Sequence, residues 1–578
     1  MTPLDWGIVA LYFTASAAIG IGLSKRASRS MESFFVAGRS LPWWLVGTSM
    51  VATTFAADTP LAVTELVARY GVAGNWLWWN MVMSGILTVF FFARLWHRAG
   101  VITDAELTEL RYGGRPAAIL RGFRATYLAI PINVIVMGWV NLAMVSILGA
   151  VLDVDEFGAL TVCFVITAIY SMLGGLLGVV WTDLFQFALA MLGGVVLAFF
   201  AVDAVGGMAG LEAGLAERFG SSEAALAFLP ATGAVWMPAI TIATYLGVAW
   251  WASWYPGAEP GGGGYIAQRI FSARSERDGL LATLWFNIAH YAVRPWPWIL
   301  IALASTIMYP GLDDPKLGYV MAMVDLLPPG LFGLMVAGFA AAYMSTMSTQ
   351  LNWGASYLVN DLYVRFVNPQ ADERRLVMMA RLATLALMVA SLIVTSFMTS
   401  IADAWRFLLA IGAGTGSVMI LRWYWWRINA WSEISAMLAS LAISLVLWFG
   451  PAFDPADPVE GAYIMLATVA GSTLVWVSVT FLTRPEEPAV LEAFYRRVRP
   501  GGKGWAPVAA ALGMPGDPMD GGALNWTNWV AGVVSVYASL FGVGKLLFGE
   551  PVQALLLLGV AGVCFAWIGF NLRKAGTA

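Results

Sequence analysis

A line of small oxygen-bearing side chains follows one face of a predicted helix in the second half of the chain. The run AAYMSTMSTQLN begins at position 341, and its polar residues include four spaced by three, four and seven positions, namely Ser345, Ser348, Thr349 and Asn352. Residues at these spacings share a helical face. Inside a membrane, such oxygens are suitable ligands for an alkali cation. The alternative for any single hydroxyl is a bond to the carbonyl one turn back.

A carboxylate stands in a second apolar run. Asp183 lies in the sequence WTDLFQ, where a charge is costly unless something neutralises it. A bound cation would neutralise this carboxylate. Protonation, or a salt bridge with an arginine from the cytoplasmic side, are the structural alternatives.

The sequence ATTFAADTP interrupts an otherwise apolar helix with threonines, Asp58 and Pro60. Proline removes a backbone donor and clashes with the preceding turn. Unwound backbone at membrane depth is tolerated where it lines a cavity or coordinates a ligand. We therefore predict a broken helix at this position, with a simple kink as the alternative.

His290 and Arg294 lie near the middle of a further apolar run, in NIAHYAVRPWPW. A guanidinium at that depth needs an anionic partner. Asp58, Glu65 or a carboxylate on a bound solute could serve. Both an internal ion pair and direct contact with a solute are therefore open.

The elements that position these residues must be membrane helices. The 578 residues are 60% hydrophobic and 12% charged, with a mean hydropathy of +0.74, whereas soluble domains carry about 25% charged residues. The charges cluster between apolar runs of about 20 residues, the length that crosses a hydrocarbon core. We predict an all-α membrane protein with about fifteen spans. The break lies in the second span (42–65), Asp183 in the sixth (176–204), Arg294 in the eighth (279–308) and the oxygen face in the ninth (330–360); the third, fifth and seventh spans are predicted at about 73–96, 157–173 and 235–256.

The cations predict the orientation of these spans. If the N-terminus is outside, the loops on the cytoplasmic side hold most of the 32 lysines and arginines, including Arg269 before the eighth span. The opposite loops hold few cations, Arg69, Arg218 and Lys316, and many acids, Asp153, Asp155, Glu156, Asp313, Asp314, Asp454, Asp457 and Glu460. This distribution satisfies the positive-inside rule and predicts a cytoplasmic C-terminus for a multi-pass protein of the cell membrane.

Tryptophans and the charged segment near the C-terminus complete the organisation. Trp43 and Trp44, Trp78 and Trp79, and the cluster 423–426 are predicted to anchor spans at the membrane interfaces. We expect three regions, a membrane domain over 1–483, a cytoplasmic linker with one short amphipathic helix over 484–525, and two further spans over 526–578. No appended soluble catalytic module is visible.

Several motifs together resemble the sodium:solute symporter family, which includes sodium-coupled sugar, proline and sialic acid carriers. The landmarks are SFFVAGRSLPWW before the second span, AGVITDAELTELRYG after the third, WTDLFQ in the sixth, AQRIFSARS before the eighth, and AAYMSTMST through NDLY in the ninth. The resemblance covers residues 4–480. It implies a LeuT-like bundle of five plus five helices in inverted repeat over about 42–424, with one extra helix before it and about four after. Solute and ions would bind where the first helix of each repeat is broken.

The resemblance also implies ion sites. The family's principal sodium site would fall on carbonyls of Ala52, Phe55 and Ala342 and on hydroxyls of Ser345 and Thr346. A second site, present in some members, would use Asp183, Ser345, Ser348 and Thr349. All of these positions offer a suitable oxygen, so we expect two sodium ions per transport cycle.

The solute is less constrained by the resemblance. At the position of the sugar carriers' carboxylate in the third span this chain has Trp78, which argues against a sugar, and GGGG replaces the Asp-Gln pair that commonly precedes the Gln-Arg motif. Predicted depth alone nominates the residues that face the solute, Thr54, Asp58, Trp79, Asn80, Tyr245 and Arg294.

The expected function is uptake of a small polar organic solute, coupled to sodium. Coupling to protons through Asp58 or Asp183 is an alternative, and a channel is another. A membrane-embedded enzyme is disfavoured, because no paired metal motif, nucleophile elbow or phosphate loop is present. The expected partners are sodium, the solute and the lipid bilayer. Nothing in the sequence points to nucleic acid or to an obligate protein partner.

Overall fold

The computed structural model describes residues 1–152, 155–253, 261–398, 401–514 and 522–574. Within these ranges the chain is helical and has no β-strand, only an isolated bridge between Leu41 and Ala273. Among the described residues, ten helical stretches are long and apolar enough to cross a membrane. Several predicted spans are built from shorter helices, so the count of fifteen stays a prediction. Asp153 and residues 254–256 of the seventh predicted span lie outside the described ranges.

The first half of the chain supplies the broken helix and the helix that carries Asp183. Its helices are α1 (Pro3–Ala27), α2 (Met31–Val36), α3 (Trp43–Thr54), α4 (Asp58–Tyr70), α5 (Trp76–Trp79), α6 (Val82–Leu87), α7 (Ala93–Ala99), α8 (Leu107–Arg111), α9 (Gly114–Tyr127), α10 (Asn133–Val151) and α11 (Glu156–Ala204). A π-helical turn, Thr88–Phe92, joins α6 to α7, and another, Leu128–Ile132, joins α9 to α10.

The middle of the chain supplies the oxygen face. Its helices are α12 (Gly207–Phe219), α13 (Ser222–Leu226), α14 (Ala239–Thr244), α15 (Trp250–Ala252), α16 (Gly264–Ser272), α17 (Glu276–Ile288), α18 (Pro295–Met308), α19 (Leu317–Leu326), α20 (Leu331–Ser356), α21 (Glu373–Thr395), α22 (Ile401–Gly412) and α23 (Gly416–Tyr424). π-Helical segments join α14 to α15 and α17 to α18, and one continues α20 to Val367.

The C-terminal part adds two helical hairpins with a short helical segment between them. Its helices are α24 (Ala430–Phe449), α25 (Pro458–Leu482), α26 (Pro488–Val498), α27 (Ala506–Ala511), α28 (Gly522–Leu547) and α29 (Pro551–Lys574).

The predicted break in the second span is present. Helix α3 ends at Thr54, α4 begins at Asp58, and Phe55 between them has non-helical backbone angles of φ −93° and ψ 73°. Pro60 is the third residue of α4. In the first turn of a helix a missing N–H leaves no carbonyl without its partner. Pro60 therefore helps to start the second half-helix.

Gly175 separates the predicted fifth and sixth spans, although hydrogen bonding runs through α11. Its φ of +51° lies in the region that favours glycine, and a Cβ there would lie 2.8 Å from the carbonyl oxygen of Phe34. The chain changes direction at this residue. The segment from Gly175 to Ala204 then carries Asp183 towards the centre of the bundle.

Helix α16 corrects one expectation. Arg269 was assigned to a cytoplasmic loop, but all nine residues of α16 are buried and Arg269 is 0% exposed. The helix packs against α3, α7, α17 and α20. With nine residues, among them Gln268 and Arg269, it is too short and too polar to be predicted as a membrane span.

Helix α20 forms the centre of the molecule and is buried along nearly its whole length. It packs against α1, α3, α10, α11, α16 and α21. The helices α21, α24, α25, α28 and α29 instead expose large apolar side chains on their outer faces. An apolar outer surface and a polar-decorated central helix are what a membrane protein requires.

The tryptophans divide into two groups, against the expectation that all of them anchor spans. Trp43 and Trp44 are exposed as anchors should be, whereas Trp79 and Trp423 are buried at 0% and 1% exposure. Trp79 packs against Phe541 of α28, and Trp423 packs against Trp96 of α7. Runs of tryptophan therefore fill the interior as well as marking the interface.

The segment 484–514 is packed against the bundle and contains two helices instead of the one expected. Phe494 and Trp505 are fully buried, and the indole N–H of Trp505 donates to the carbonyl of Trp423 (2.7 Å). The guanidinium of Arg111 lies over the rings of both Phe494 and Trp505. We call residues 484–514 the C-terminal strap.

Helix α28 packs against two predicted spans of the core, the third and the eighth. The indole of Trp529 donates to the carbonyl of Met83 (3.0 Å), and the hydroxyl of Tyr537 donates to the carbonyl of Trp79 (2.8 Å). Gly544 packs on Trp296 so closely that a Cβ would lie 2.1 Å from the indole ring. The third and eighth predicted spans are thus both fastened to α28.

Candidate cation and solute site

The broken end of α3 offers backbone oxygens to the interior. The last carbonyls of a helix have no N–H partner within that helix. The N–H of Phe55 bonds to the carbonyls of Ala52 and Val51 (both 3.0 Å), which closes the last turn. Since each carbonyl oxygen has two lone pairs, Ala52 retains one for a further ligand.

Thr346 joins α20 to this broken end. Its hydroxyl donates to the carbonyl of Thr53 (2.8 Å) and lies 3.3 Å from the carbonyl of Ala342. Thr53 is the neighbour of Ala52 and lies two residues before Phe55. The structure therefore brings Ala342 and Thr346 against the segment that carries the other two carbonyls of the expected principal sodium site.

Ser345, the fifth member of that set, faces α11. Its hydroxyl donates to one carboxylate oxygen of Asp183 (2.6 Å), and the hydroxyl of Ser49 donates to the other (2.5 Å). Asp183 and Ser345 are 0% and 1% exposed. Helices α3, α11 and α20 thus meet at one buried carboxylate.

Arg269 of α16 is the cation at this carboxylate. A guanidinium nitrogen lies 3.6 Å from Asp183, with both side chains fully buried. Of the three possibilities left open for Asp183, the structure shows the salt bridge. Because Arg269 is itself buried, the pair is internal and does not reach the cytoplasmic surface.

The same guanidinium forms a hydrogen bond to Thr349 on the oxygen face of α20 and to two further side chains. It donates to Thr349 Oγ1 (2.6 Å), to Ser49 Oγ (3.2 Å) and to Gln268 Oε1 (2.9 Å). Thr349 Oγ1 lies 3.0 Å from Thr53 Oγ1. Arg269 therefore ties α3, α11, α16 and α20 together.

The four residues of the expected second sodium site do not all contact one another, because two of them, Asp183 and Thr349, interact with Arg269. Asp183 and Ser345 are in contact, Thr349 accepts from the guanidinium, and Ser348 donates back to the carbonyl of Ser345 (3.1 Å). Asn352, the last polar residue on this face, accepts from the amide of Gln268 (3.0 Å).

Arg269, Gln268, Ser49 and Thr53 are site residues that the sequence analysis did not nominate. In the sequence, Gln268 and Arg269 stand out only as part of the motif AQRIFSARS. The available signal was the pattern of α16, in which the apolar residues Ile266, Ala267, Ile270 and Phe271 share one face of a short helix and Gln268 and Arg269 lie on the other.

Thr54 is the hub of the candidate solute residues. Its hydroxyl lies 3.0 Å from Nδ1 of His290 and accepts from Arg294 (3.2 Å). Arg294 also donates to the carbonyl of Val51 (3.3 Å). The π-helical turn between α17 and α18 precedes Arg294 directly. The eighth span thus meets the broken end of α3 through these side chains.

The expected internal partners of Arg294 do not form an ion pair with it in the described chain. Glu65 instead pairs with Arg69 one turn further along α4 (2.9 Å). Asp58 is buried at 2% exposure, and its Oδ1 has no hydrogen-bond partner. The charge of Arg294 acts on Asp58 through space.

The remaining candidates lie on other elements. Trp79 is fully buried against α28, and Asn80 donates to the carbonyls of Trp76 and Leu77, at the end of its own helix. Tyr245 is half-buried in the π-helical turn between α14 and α15. Trp78, although not nominated, stacks on Tyr291 next to His290. Nε1 of Trp79 and Oδ1 of Asn80 are buried without a hydrogen-bond partner, so both residues stay candidates for the solute site.

Comparison with known proteins gives the site its context. The profile of the sodium:solute symporter family matches residues 34–440. The sodium/glucose cotransporter of Vibrio parahaemolyticus is 26% identical over 478 residues, covering 78% of this chain and 86% of that protein. Sodium/glucose cotransporter 4 of Danio rerio is 25% identical, covering 83% of this chain and 79% of that protein.

A solved structure shares the architecture. The substrate-bound, outward-open state of a sodium-coupled sialic acid symporter superposes with a TM-score of 0.69 at 18% identity, over 84% of this chain and 99% of that one. The expected LeuT-like fold is thereby confirmed. With the family match spanning residues 34–440, the chain belongs to the sodium:solute symporter family and is a sodium-coupled transporter, not an enzyme.

Proposed function

We propose that the chain imports a small polar organic solute together with sodium by alternating access to a central site. The principal sodium ion binds to carbonyls of Ala52, Phe55 and Ala342 and to hydroxyls of Ser345 and Thr346. The bond from Thr346 to the carbonyl of Thr53 (2.8 Å) carries this proposal, because it holds the oxygens of α20 against the broken end of α3.

Sodium at this position links two elements that meet without a covalent connection. It draws α20 towards the break between α3 and α4, and Thr54 at that break contacts His290 and Arg294 of the solute region. A ligand shifts a conformational equilibrium only by its differential affinity for the two states. The state that completes the sodium site also arranges the solute residues, which makes the effect of each ligand on the other reciprocal.

The driving force is sufficient for concentrative uptake. Moving one positive charge down a membrane potential of 100 mV releases about 2.3 kcal/mol, to which the sodium concentration gradient adds. Inward transport follows from the proposed orientation, with the N-terminus outside and the C-terminus in the cytoplasm, which rests on the distribution of cations.

The second sodium site stays a prediction. Asp183, Ser345, Ser348 and Thr349 supply its oxygens, but Arg269 already lies 3.6 Å from Asp183. A second ion at this carboxylate therefore requires Arg269 to share or leave it. Loss of one sodium from the stoichiometry in Asp183→Asn, measured by the reversal potential of uptake, would support the site. An unchanged stoichiometry in this variant would exclude it.

The relatives named glucose cotransporters suggest a sugar, but the third span favours a different solute. Trp78 occupies the position of the sugar carriers' carboxylate, and its indole N–H is engaged by Asn75 (2.9 Å). A stacked aromatic ring cannot replace the acceptor oxygens that fix sugar hydroxyls. We therefore place the solute among small polar molecules other than neutral sugars.

Proton coupling is the second candidate, and Asp58 is the observation that favours it. A buried carboxylate whose Oδ1 lacks a partner is the kind of group that takes up a proton. Uptake driven by a pH step in the absence of sodium would identify this mode.

Sodium binding can be tested without knowing the solute. In the purified full chain, replacing choline chloride by sodium chloride at constant ionic strength should raise the melting temperature, since a ligand at 100 times its Kd stabilises by about 2.7 kcal/mol. Ser345→Ala and Thr346→Ala should shift this response to higher sodium concentrations.

The matched control is Ser356→Ala on the same helix. Ser356 is buried, and its hydroxyl donates to the carbonyl of Trp353 (2.6 Å), within α20. It should respond to sodium as the natural chain does. An unchanged sodium response in both Ser345→Ala and Thr346→Ala would refute the principal site.

A further inference from the structure

Asp58 and Arg294 are two buried, opposite charges that face the same region without forming an ion pair in the described chain. They are 2% and 1% exposed. Asp58 begins α4 just after the break, and Arg294 lies at the π-helical turn of the eighth span, in contact with the last turn of α3. Their charges act on each other through space.

Each of the two charged groups retains an unsatisfied atom. Oδ1 of Asp58 and Nε of Arg294 have no hydrogen-bond partner, and the indole of Trp405 lies beside the Asp58 carboxylate as a neutral neighbour. Buried polar groups in native structures are normally satisfied, so each exception needs an explanation. The two atoms are of complementary character, an acceptor and a donor, so one molecule that carries both charges would satisfy them.

Three other buried arginines of the described chain lie next to a carboxylate, whereas Arg111, like Arg294, is held by carbonyls and aromatic rings. Arg121 pairs with Asp361 (2.7 Å), Arg124 pairs with Glu433 (3.2 Å), and Arg269 faces Asp183. Arg294 is held only by a carbonyl, the hydroxyl of Thr54 and the faces of Phe55 and Trp298. These contacts orient the guanidinium and leave its carboxylate partner to be supplied.

We infer that the solute is a small zwitterion, whose protonated amine binds Asp58 and whose carboxylate binds Arg294. This inference rests on the proposed function and specifies its substrate class. It explains why the two side chains are separate, because a solute that lies between them satisfies both.

Electrostatics favours a zwitterion over the other classes. A lone anion would pair with Arg294 and leave Asp58 buried without a partner, while a lone cation would do the reverse. An unpaired buried charge costs several kcal/mol. A neutral polyol could accept and donate hydrogen bonds but would compensate neither charge. A zwitterion keeps the closed site neutral and provides both partners.

The test is a melting-temperature panel on the purified full chain in saturating sodium chloride. The probes are alanine, leucine and betaine as zwitterions, propionate as an anion, isopropylamine as a cation, and glucose and myo-inositol as neutral polyols. A stabilising shift with zwitterions alone is expected. Stabilisation by a polyol or a single-charge probe in place of the zwitterions would overturn the inference.

Two variants supply a readout that misfolding cannot imitate. Asp58→Asn should weaken binding of the preferred zwitterion about tenfold or more while gaining response to its carboxylate analogue, because the amide no longer requires a cation. Arg294→Gln should gain response to the amine analogue instead. Glu65→Gln, on the same helix as Asp58 but paired with Arg69, is the control and should bind as the natural chain does.

The two proposals fail separately. If sodium alone stabilises the chain but no zwitterion does, and the two variants do not exchange selectivity, the substrate class is wrong and sodium coupling stands. If a pH step without sodium drives solute uptake, and Asp58→Asn abolishes that uptake, Asp58 carries a proton and both assignments are overturned.

Discussion

Asp183 and Arg269 act as one unit at the scale of single residues. Both are fully buried, so neither can exchange its partner for water. Ser49 bonds to both members, and Ser345 and Thr349 bond to one each. Changing either charge therefore affects three other helices besides its own.

We predict that Asp183→Asn and Arg269→Gln each destabilise the protein strongly, by about 3–5 kcal/mol, because each leaves an uncompensated buried charge. The double variant should lose much less than the sum of the two. The measurement is a double-mutant cycle of melting temperature in sodium-free choline buffer.

The partly exposed pair of Glu65 and Arg69 provides the matched control for this cycle. A one-turn surface pair contributes about 0.2–0.5 kcal/mol, so its neutralised variants should differ little from the natural chain. Additive losses in the buried cycle would show that Asp183 and Arg269 are not coupled.

Asp183 is recognisable from the sequence, but its partner Arg269 is not. The carboxylate stands out because it interrupts an apolar run. Arg269 does not stand out, because it lies in one of many short segments between apolar runs that carry cations. Contacts such as that between Ser345 and Asp183 depend on how distant helices pack, and one chain contains no periodic signal for this. For the same reason, Asp58 and Glu65 were equal candidates for Arg294.

At the scale of elements, local signals predicted breaks well and tertiary packing poorly. The gap between α3 and α4 was visible because Thr, Asp and Pro occur together in an apolar run. Helix α16, with nine residues, is shorter than a span, and its burial follows from the helices around it. The C-terminal strap looked like a linker because its Gly, Pro and charge content conceals the buried Phe494 and Trp505.

At Gly504 the backbone of the C-terminal strap packs directly against the backbone of the core. A Cβ at this residue would lie 1.9 Å from the carbonyl oxygen of Tyr424, and Gly504 itself accepts from the N–H of Trp426 (3.1 Å). We predict that Gly504→Ala loosens the strap and increases its cleavage by protease added to detergent-solubilised protein.

Gly559→Ala on α29 is the control for this experiment, because nothing lies within 4 Å of the position of its Cβ. Its cleavage pattern should match that of the natural chain. If Gly504→Ala resists protease equally well, the strap does not depend on this close contact.

Glu109 of α8 links two other elements at the same end of the molecule. It accepts from Arg121 of α9 (2.8 Å) and from Arg365 after α20 (2.9 Å). Burial alone raises the pKa of Glu109, but the hydrogen bonds from Arg365 and Arg121 outweigh it and hold the pKa below the ordinary value of 4.5. A depressed pKa stabilises the fold above the ordinary value, and this contribution is lost as the pH falls through the folded-state pKa.

We therefore predict that acidification below pH 4.5 lowers the melting temperature of the natural chain more than that of Glu109→Gln, which has no charge to lose at this position. Melting temperatures measured from pH 7 down to about pH 3 would test this. Glu212→Gln, at an exposed position on α12, should follow the natural chain. Parallel curves for all three proteins would contradict the role of Glu109.

At the scale of the whole molecule, the fold and the membrane class were predictable because composition and apolar run length act over the entire chain. Orientation rests on the loop charges alone. We predict that, in a background with Cys163→Ala and Cys564→Ser, Asp313→Cys is labelled by an impermeant maleimide added to intact cells. Arg374→Cys should be labelled only after permeabilisation.

Both of these positions are exposed in the structure, so accessibility to the reagent depends on the side of the membrane and not on burial. The reverse pattern would place the N-terminus in the cytoplasm. Labelling of both residues in intact cells would mean that the number of crossings between them is even.

Helix α28 contacts Met83 and Trp79 of the third span and Trp296 of the eighth, so these three membrane crossings are expected to move together. If the third and eighth spans change their tilt during transport, the hairpin formed by α28 and α29 has to move with them. Gly549, in the turn between α28 and α29, would then be displaced together with those spans. A spin label placed there could follow the transport cycle without touching a single ligand-binding atom.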